Sequence, residues 1–199
     1  GSGAFMVESF TPDTEVVLAA NKSYWRGAPS VDRIVYRVLK DQATRRLELE
    51  AGSIDIVQQN GNLFSLPVAD IAALKANPNV RVLEFDSQIV RYLQFNNTDS
   101  QVMKDVRVRK AIAQAVDYDN LISGVLGDTA SRVYGPLPQS SWAVHPNAAQ
   151  LAPGYDPAAA RQLLADAGVS GLNLQLYTFQ GSSWRDIGTF LQANMADVG

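Results

Sequence analysis

Residues 105–122 read DVRVRKAIAQAVDYDNLI, and Arg107, Arg109 and Lys110 open an amphipathic run within it. Cations at that spacing do one of two things: they neutralise phosphates from a recognition helix, or they decorate a solvated helix face. Val108, Ile112, Ala115 and Val116 fall at i, i+4, i+7 and i+8, an apolar stripe that turns Arg107 and Lys110 outward. Asp105 and Asp117 bracket the cations, and the whole chain carries a net charge of −3. Phosphate-binding surfaces are usually basic overall or carry a dense Lys/Arg stripe. The run therefore reads as a solvated or ion-paired face, and nucleic acid is not an expected partner.

Catalytic residues are sparse. His145, between Val144 and Pro146, is the single histidine, and there is no cysteine. Thiol nucleophiles, disulfides and thiolate metal sites are thereby removed together, a composition that fits an extracytoplasmic protein. No G-x-S-x-G, Walker, G-x-G-x-x-G or H-E-x-x-H motif occurs. Asp117 and Asp119 stand two apart at a helix start, so they face different directions and read as caps rather than as a general acid/base pair. No catalytic residue, metal site or cofactor is expected. The alternative is a hydrolase or other enzyme that uses His145 as its base.

Uncharged hydrogen-bonding residues are a better lead. Gln58-Gln59-Asn60-Gly61-Asn62 follows directly on an apolar run, Gln88 and Tyr92 lie in another, and Tyr177-Thr178-Phe179-Gln180-Gly181-Ser182-Ser183-Trp184 ends a third. In open α/β sheets ligands sit beyond the carboxyl ends of strands, where such residues suit a neutral or zwitterionic small molecule. The competing reading is polar loop.

Several elements must position these residues. The chain has 199 residues, 46% of them hydrophobic and 19% charged, with 14 Gly and 9 Pro, the make-up of an ordinary folded chain of one large or two small domains. Alternation over 4–10 and 15–20 around Thr11-Pro12-Asp13 predicts a β-hairpin, and 33–38 a third strand. Asp41 caps a helix over 42–51 that Gly52 stops, and 54–57 completes a strand-helix-strand unit. A helix over 71–75 precedes strands at 80–85 and 89–95. The polar segment 96–102 then marks a boundary, after which Asp105 and Asp117 each begin a helix. Residues 127–156 read as a long loop of the kind that carries function. Pro157 opens a helix that runs to Ala167 and ends at Gly168, 172–177 is a strand, and 184–197 a last helix. The fold class is mixed α/β. No apolar run is long enough to span a membrane, and any export signal would lie upstream of Gly1.

The order of motifs carries a resemblance. Gly1-Ser2-Gly3-Ala4-Phe5 is similar to a G-T-G-P-Y start, with Ser2 and Ala4 departing from it. Asn21-Lys22-Ser23-Tyr24-Trp25 follows an N-x-x-Y-W pattern, and Ala51-Gly52-Ser53-Ile54-Asp55 an A-G-x-I-D signature. Tyr92-Leu93-Gln94-Phe95-Asn96 follows Y-L-x-F-N, and residues 105–117 follow D-V-R-V-R-x-A-I-x-x-A-V-D. Residues 155–168 follow Y-D-P-x-x-A-x-x-L-L-x-x-A-G. Together they resemble the extracellular solute-binding proteins of ABC importers, the oligopeptide, dipeptide and nickel-binding family (family 5), over nearly the whole chain.

The resemblance implies part of a two-lobed, type II periplasmic-binding-protein-like fold that captures a small solute, peptide-like or other, and delivers it to ABC transporter permease subunits. It implies that residues 1–95 belong to the first lobe, 96–101 to a hinge segment and 102–199 to the start of the second lobe, within a protein much longer than this chain. It further implies cleft positions at Gln58, Gln59 and Asn60, at Gln88, Arg91 and Tyr92, at Tyr134, and at Thr178 and Ser183. Apolar faces that a longer protein would cover are expected to make the chain self-associate or leave it weakly stable.

Overall fold

The computed structural model describes residues 2–57, 66–179 and 181–199, with Ser182 by its backbone alone. It forms two compact units that divide after Val57.

The first unit is built on strands β1 (Phe5–Thr11), β2 (Glu15–Ala20) and β3 (Arg33–Arg37), an antiparallel meander in the order β1-β2-β3. The β1–β2 connection closes through the Thr14 N–H donating to the Thr11 carbonyl at 3.1 Å, with Asp13 at φ 58°. Aspartate tolerates that left-handed conformation better than most residues, which is why Pro-Asp works here. Pairing slips between Val7 and Ser9, leaving Glu8 at an irregularity where its Oε1 accepts from Arg33 Nη2 at 2.7 Å. Helix α1 (Gln42–Glu50) starts where the sequence places it: Asp41 Oδ1 accepts from the Thr44 N–H at 2.8 Å, and Gly52 follows its end at φ 71°. Arg45 on α1 is buried, and its Nη1 donates to the Leu39 carbonyl at 2.6 Å.

The second unit is helical: α2 (Val68–Ala76), α3 (Gln101–Lys104), α4 (Val106–Ala115), α5 (Tyr118–Asn120) running into a π-helical turn at Leu121–Val125, α6 (Ala148–Leu151), α7 (Pro157–Asp166) and α8 (Ser182–Ala196). Its core is the crossing of α4 and α7. Val108, Ala111 and Ala160 are fully buried there, joined by Met103, Ile112, Ala115, Leu164 and Val198. Alanines on both helices let the backbones approach closely, so one valine fills the space between them. The predicted stripe Val108, Ile112, Ala115 and Val116 is buried throughout. Asp156 caps α7 by accepting from the Ala159 N–H at 2.9 Å, and its own N–H donates to the Gln114 carbonyl at 2.8 Å, fixing α7 against the end of α4. Asn194 Oδ1 accepts from the Asp117 N–H at 2.9 Å and ties α8 to the same junction.

Four expected strands, 54–57, 80–85, 89–95 and 172–177, do not form. Period-2 alternation records which faces a strand would have, but a ladder also needs a neighbour to bond. Among the described residues these segments have none. The expected loop at 127–156 contains α6, and α3 precedes α4 without having been anticipated. Residues 96–101 lie inside the second unit, where the Asn96 side chain accepts from the Thr98 and Asp99 N–H groups at 3.1 Å each.

Candidate functional site

The basic run is occupied by its own helix ends. Asp105 caps α4 by accepting from the Arg107 N–H at 2.8 Å, and Arg107 Nη2 lies 2.6 Å from Asp105 Oδ2. The Arg107 side-chain hydrogen bond, reinforced by its backbone N–H, holds the Asp105 carboxyl below the usual aspartate range. Arg109 Nη1 reaches back to the Met103 and Lys104 carbonyls at 2.6 and 2.9 Å, covering the end of α3. Lys110 is exposed. These cations serve helix ends and one ion pair. Asp117 likewise is a cap, accepting from the Asn120 N–H at 3.1 Å. His145 is exposed, and its Nδ1 accepts from the Asn147 N–H at 3.1 Å in a local turn.

Segment 87–95 meets two later parts of the chain. Gln88 Nε2 donates to Ser140 Oγ at 2.7 Å. Three residues on, the Arg91 guanidinium lies 4.6 Å from the centre of the Trp184 ring, in the first turn of α8, and Phe179 meets the same ring edge-on at 5.3 Å. Burial lowers the Arg91 pKa, yet a guanidinium so far above neutral stays charged. The aromatic face compensates part of that lost hydration. Trp184 Nε1 is buried without an acceptor among the described residues. Ser183 is half-buried beside it, and Thr178 is exposed. A Cβ placed on Gly188 would lie 3.4 Å from Thr178 Cγ2, which puts Thr178 against this part of α8.

Tyr134 is held by a second arrangement. The Arg132 guanidinium lies 3.8 Å from the Tyr118 ring centre and 5.0 Å from that of Tyr134, and Arg132 Nη2 donates to the Pro153 carbonyl. Burial raises the Tyr118 phenol pKa, with Arg132 acting in the opposite sense, and its hydroxyl donates to the Ala113 carbonyl at 3.0 Å. The 127–156 loop is thus anchored to α4 and α5.

Of the sequence-derived candidates, Gln88 and Arg91 are each in contact with residues far along the chain, and Ser183 adjoins the Arg91–Trp184 contact. Tyr134 is packed on Arg132, and Tyr92 is 76% exposed. Gln58, Gln59 and Asn60 lie outside the described residues. Sequence reasoning missed Trp184, Phe179, Ser140 and Arg132 as partners. Trp184 and Phe179 sat in a run already singled out for its hydroxyls, and two aromatics flanking polar residues at a helix start were the available signal. Nothing local marks Ser140 or Arg132. A charged group on an aromatic wall, with hydroxyls and amides nearby, is suited to holding a small solute by its polar groups and one flat or apolar face. Among the described residues there is no group of His, Asp and Glu that could hold a metal ion, and no helix long and apolar enough to cross a membrane.

The profile of bacterial extracellular solute-binding proteins, family 5 Middle, matches residues 1–199. Heme-binding protein A of Haemophilus influenzae is 34% identical over 168 residues, covering 84% of this chain and 29% of its own length. The probable D,D-dipeptide-binding periplasmic protein DdpA of Escherichia coli K12 is 29% identical over 199 residues, covering 100% of this chain and 37% of its own. Among solved structures, MoaA of A. tumefaciens R10 in complex with mannopinic acid superposes with a TM-score of 0.75 at 30% identity, over 99% of this chain and 38% of that one. The chain thus spans about a third of the length of these relatives. It belongs to the bacterial extracellular solute-binding proteins of family 5.

Proposed function

We propose that the chain forms part of the solute-binding component of an ABC import system. In this reading the component works outside the cytoplasm, captures a peptide-like or other small solute in a cleft between two lobes, and passes it to the membrane permease subunits. Residues 1–95 contribute to the first lobe, 96–101 act as the hinge, and 102–199 begin the second lobe. Closure about such a hinge excludes water and brings both walls of the cleft onto the solute.

One observation carries the reading. Residues on the two sides of 96–101 converge, Gln88 on Ser140 and Arg91 on Trp184, and Tyr92 and Ser183 are the chain neighbours of the second pair. Family membership supports binding rather than catalysis. The relatives named above are associated with haem, a D,D-dipeptide and mannopinic acid, which differ in size, charge and shape. Membership therefore leaves the ligand to the site, and a cation beside aromatic rings and neutral hydrogen-bonding groups favours a small solute with a carboxylate, a peptide among them.

Isothermal titration calorimetry of the full-length protein against di- and tripeptides, haem, mannopinic acid and metal chelates tests this. One class is expected to bind, with affinity falling about tenfold in Tyr92→Ala and Ser183→Ala, the effect of losing one well-placed contact of about 1.4 kcal/mol. Binding by none of these classes, or binding unchanged in both variants, overturns the assignment.

A further inference from the structure

Three contacts join the stretch before residue 96 to the stretch after residue 101, and they are of three different physical kinds. Gln88 Nε2 donates to Ser140 Oγ at 2.7 Å, a neutral hydrogen bond between exposed side chains. Arg91 lies 4.6 Å from the Trp184 ring centre, a partly desolvated cation–π contact. The third is steric. Gly127 has φ +53°, and a Cβ built on it would come within 2.3 Å of Val68 Cγ1 in the first turn of α2. Only a residue without a side chain lets the 127 turn seat on α2 as it does, for both backbone and packing reasons. Leu126, next to that turn, and Leu66, next to α2, are both buried.

We infer that these three contacts form a clasp across the 96–101 segment, which holds the two lobes together without any help from solute. The inference rests on the two-lobed reading above. It assigns Gln88, Arg91 and Gly127 a positioning role that sets affinity through closure, in addition to whatever part Gln88 and Arg91 take in the cleft. Because these contacts hold residues 66–95 against the helical body, the compact unit of this structure runs through the hinge segment instead of dividing at it. A clasp of this kind raises the fraction of protein already in the closed form, and any solute that prefers the closed form then binds more tightly by that same factor. Weakening the clasp loosens every such solute alike, which separates it from a contact that recognises one solute.

The contacts are graded. The exposed Gln88–Ser140 bond contributes about a twofold bias toward closure, and the Arg91–Trp184 contact about fivefold. Gly127→Ala acts most strongly, because it inserts a methyl group into Val68 and strains a left-handed backbone position.

Spin labels at Arg81→Cys and Lys110→Cys, both at exposed positions on opposite sides of the segment, read closure in the unliganded full-length protein by electron–electron distance measurement. This chain brings no cysteine of its own to compete for the label. Unmodified at the clasp, the protein is expected to show a dominant short-distance population. That population should fall about twofold relative to the open one in Gln88→Ala, about fivefold in Trp184→Leu, and further in Gly127→Ala. Adding Val68→Ala to Gly127→Ala should restore part of it, since the methyl that was struck has gone, with thermal unfolding of each variant showing that the fold itself is kept. Distance distributions indifferent to Gln88→Ala and Trp184→Leu alike overturn the clasp, even if the protein still closes on a solute. A single distance that no panel solute and no variant moves overturns both the clasp and the two-lobed reading beneath it.

Discussion

The two compact units differ in how they are held. Among the described residues the first unit buries only Ala20 and Arg45, and it leaves Val7, Phe10 and Tyr36 more than half exposed. The second unit closes a continuous apolar cluster between α4 and α7, with Val108, Ala111 and Ala160 fully buried. A helix satisfies its own backbone, so two helices with matching stripes complete a core by meeting. A three-stranded meander pairs fully only its central strand and offers one or two broad faces, and faces need something large laid on them. The helical unit is therefore held by burial, while the sheet unit relies on its ladder hydrogen bonds, with exposed ion pairs such as Arg33–Glu8 and Arg37–Glu48 adding little.

Four measurements would break or sharpen that contrast. The largest effect is expected for Val108→Asp, which buries an unpaired carboxylate at the α4–α7 crossing and should cost more than about 4 kcal/mol. Calorimetry should show the helical transition lost; retention of a cooperative helical transition would mean that burial does not hold this unit. Next, Arg45→Met keeps the buried volume but removes the donor to the Leu39 carbonyl, at a cost of about 1–3 kcal/mol. Hydrogen exchange should quicken in β3 and α1 and stay unchanged in α4 and α7.

Acid gives a smaller effect. Hydrogen bonds from the Thr44 side chain and backbone hold Asp41 below the usual aspartate range, and those from Arg107 do so for Asp105. A depressed carboxylate contributes stability that is present above the unfolded aspartate pKa and is lost as pH falls through the lower folded value. A circular-dichroism titration should therefore show helix loss that sets in as pH falls through the ordinary aspartate range and continues below it, and Asp41→Asn should flatten the part that belongs to the first unit. The smallest effect is expected for Phe10→Ser, within about 0.5 kcal/mol because the ring is already mostly solvated. Light scattering on residues 1–199 should nonetheless show less self-association in Phe10→Ser, since stability and stickiness are separate consequences of an exposed ring.

Local grammar was readable in the sequence. Asp41, Asp105, Asp117 and Asp156 each accept backbone N–H groups at helix starts, and Gly52 and Gly168 each take positive φ beyond a helix end. Such signals act within four residues, so spacing alone reveals them. The apolar stripe of α4 was equally plain, because a helix carries its periodicity with it. Strands were not: 80–85 and 172–177 alternate as strands do, but their pairing depends on a neighbour that alternation cannot specify. The candidate site was half legible. Its polar residues stand at the ends of apolar runs, whereas Ser140 and Arg132 owe their roles to residues 52 positions away in one case and to two tyrosines and a proline carbonyl in the other.

Arg132 shows what such an anchor does for the loop it holds. By fixing Tyr134 and Pro153 to one guanidinium, it turns the long 127–156 excursion into shorter closed arcs, each with fewer conformations to lose when the loop is ordered.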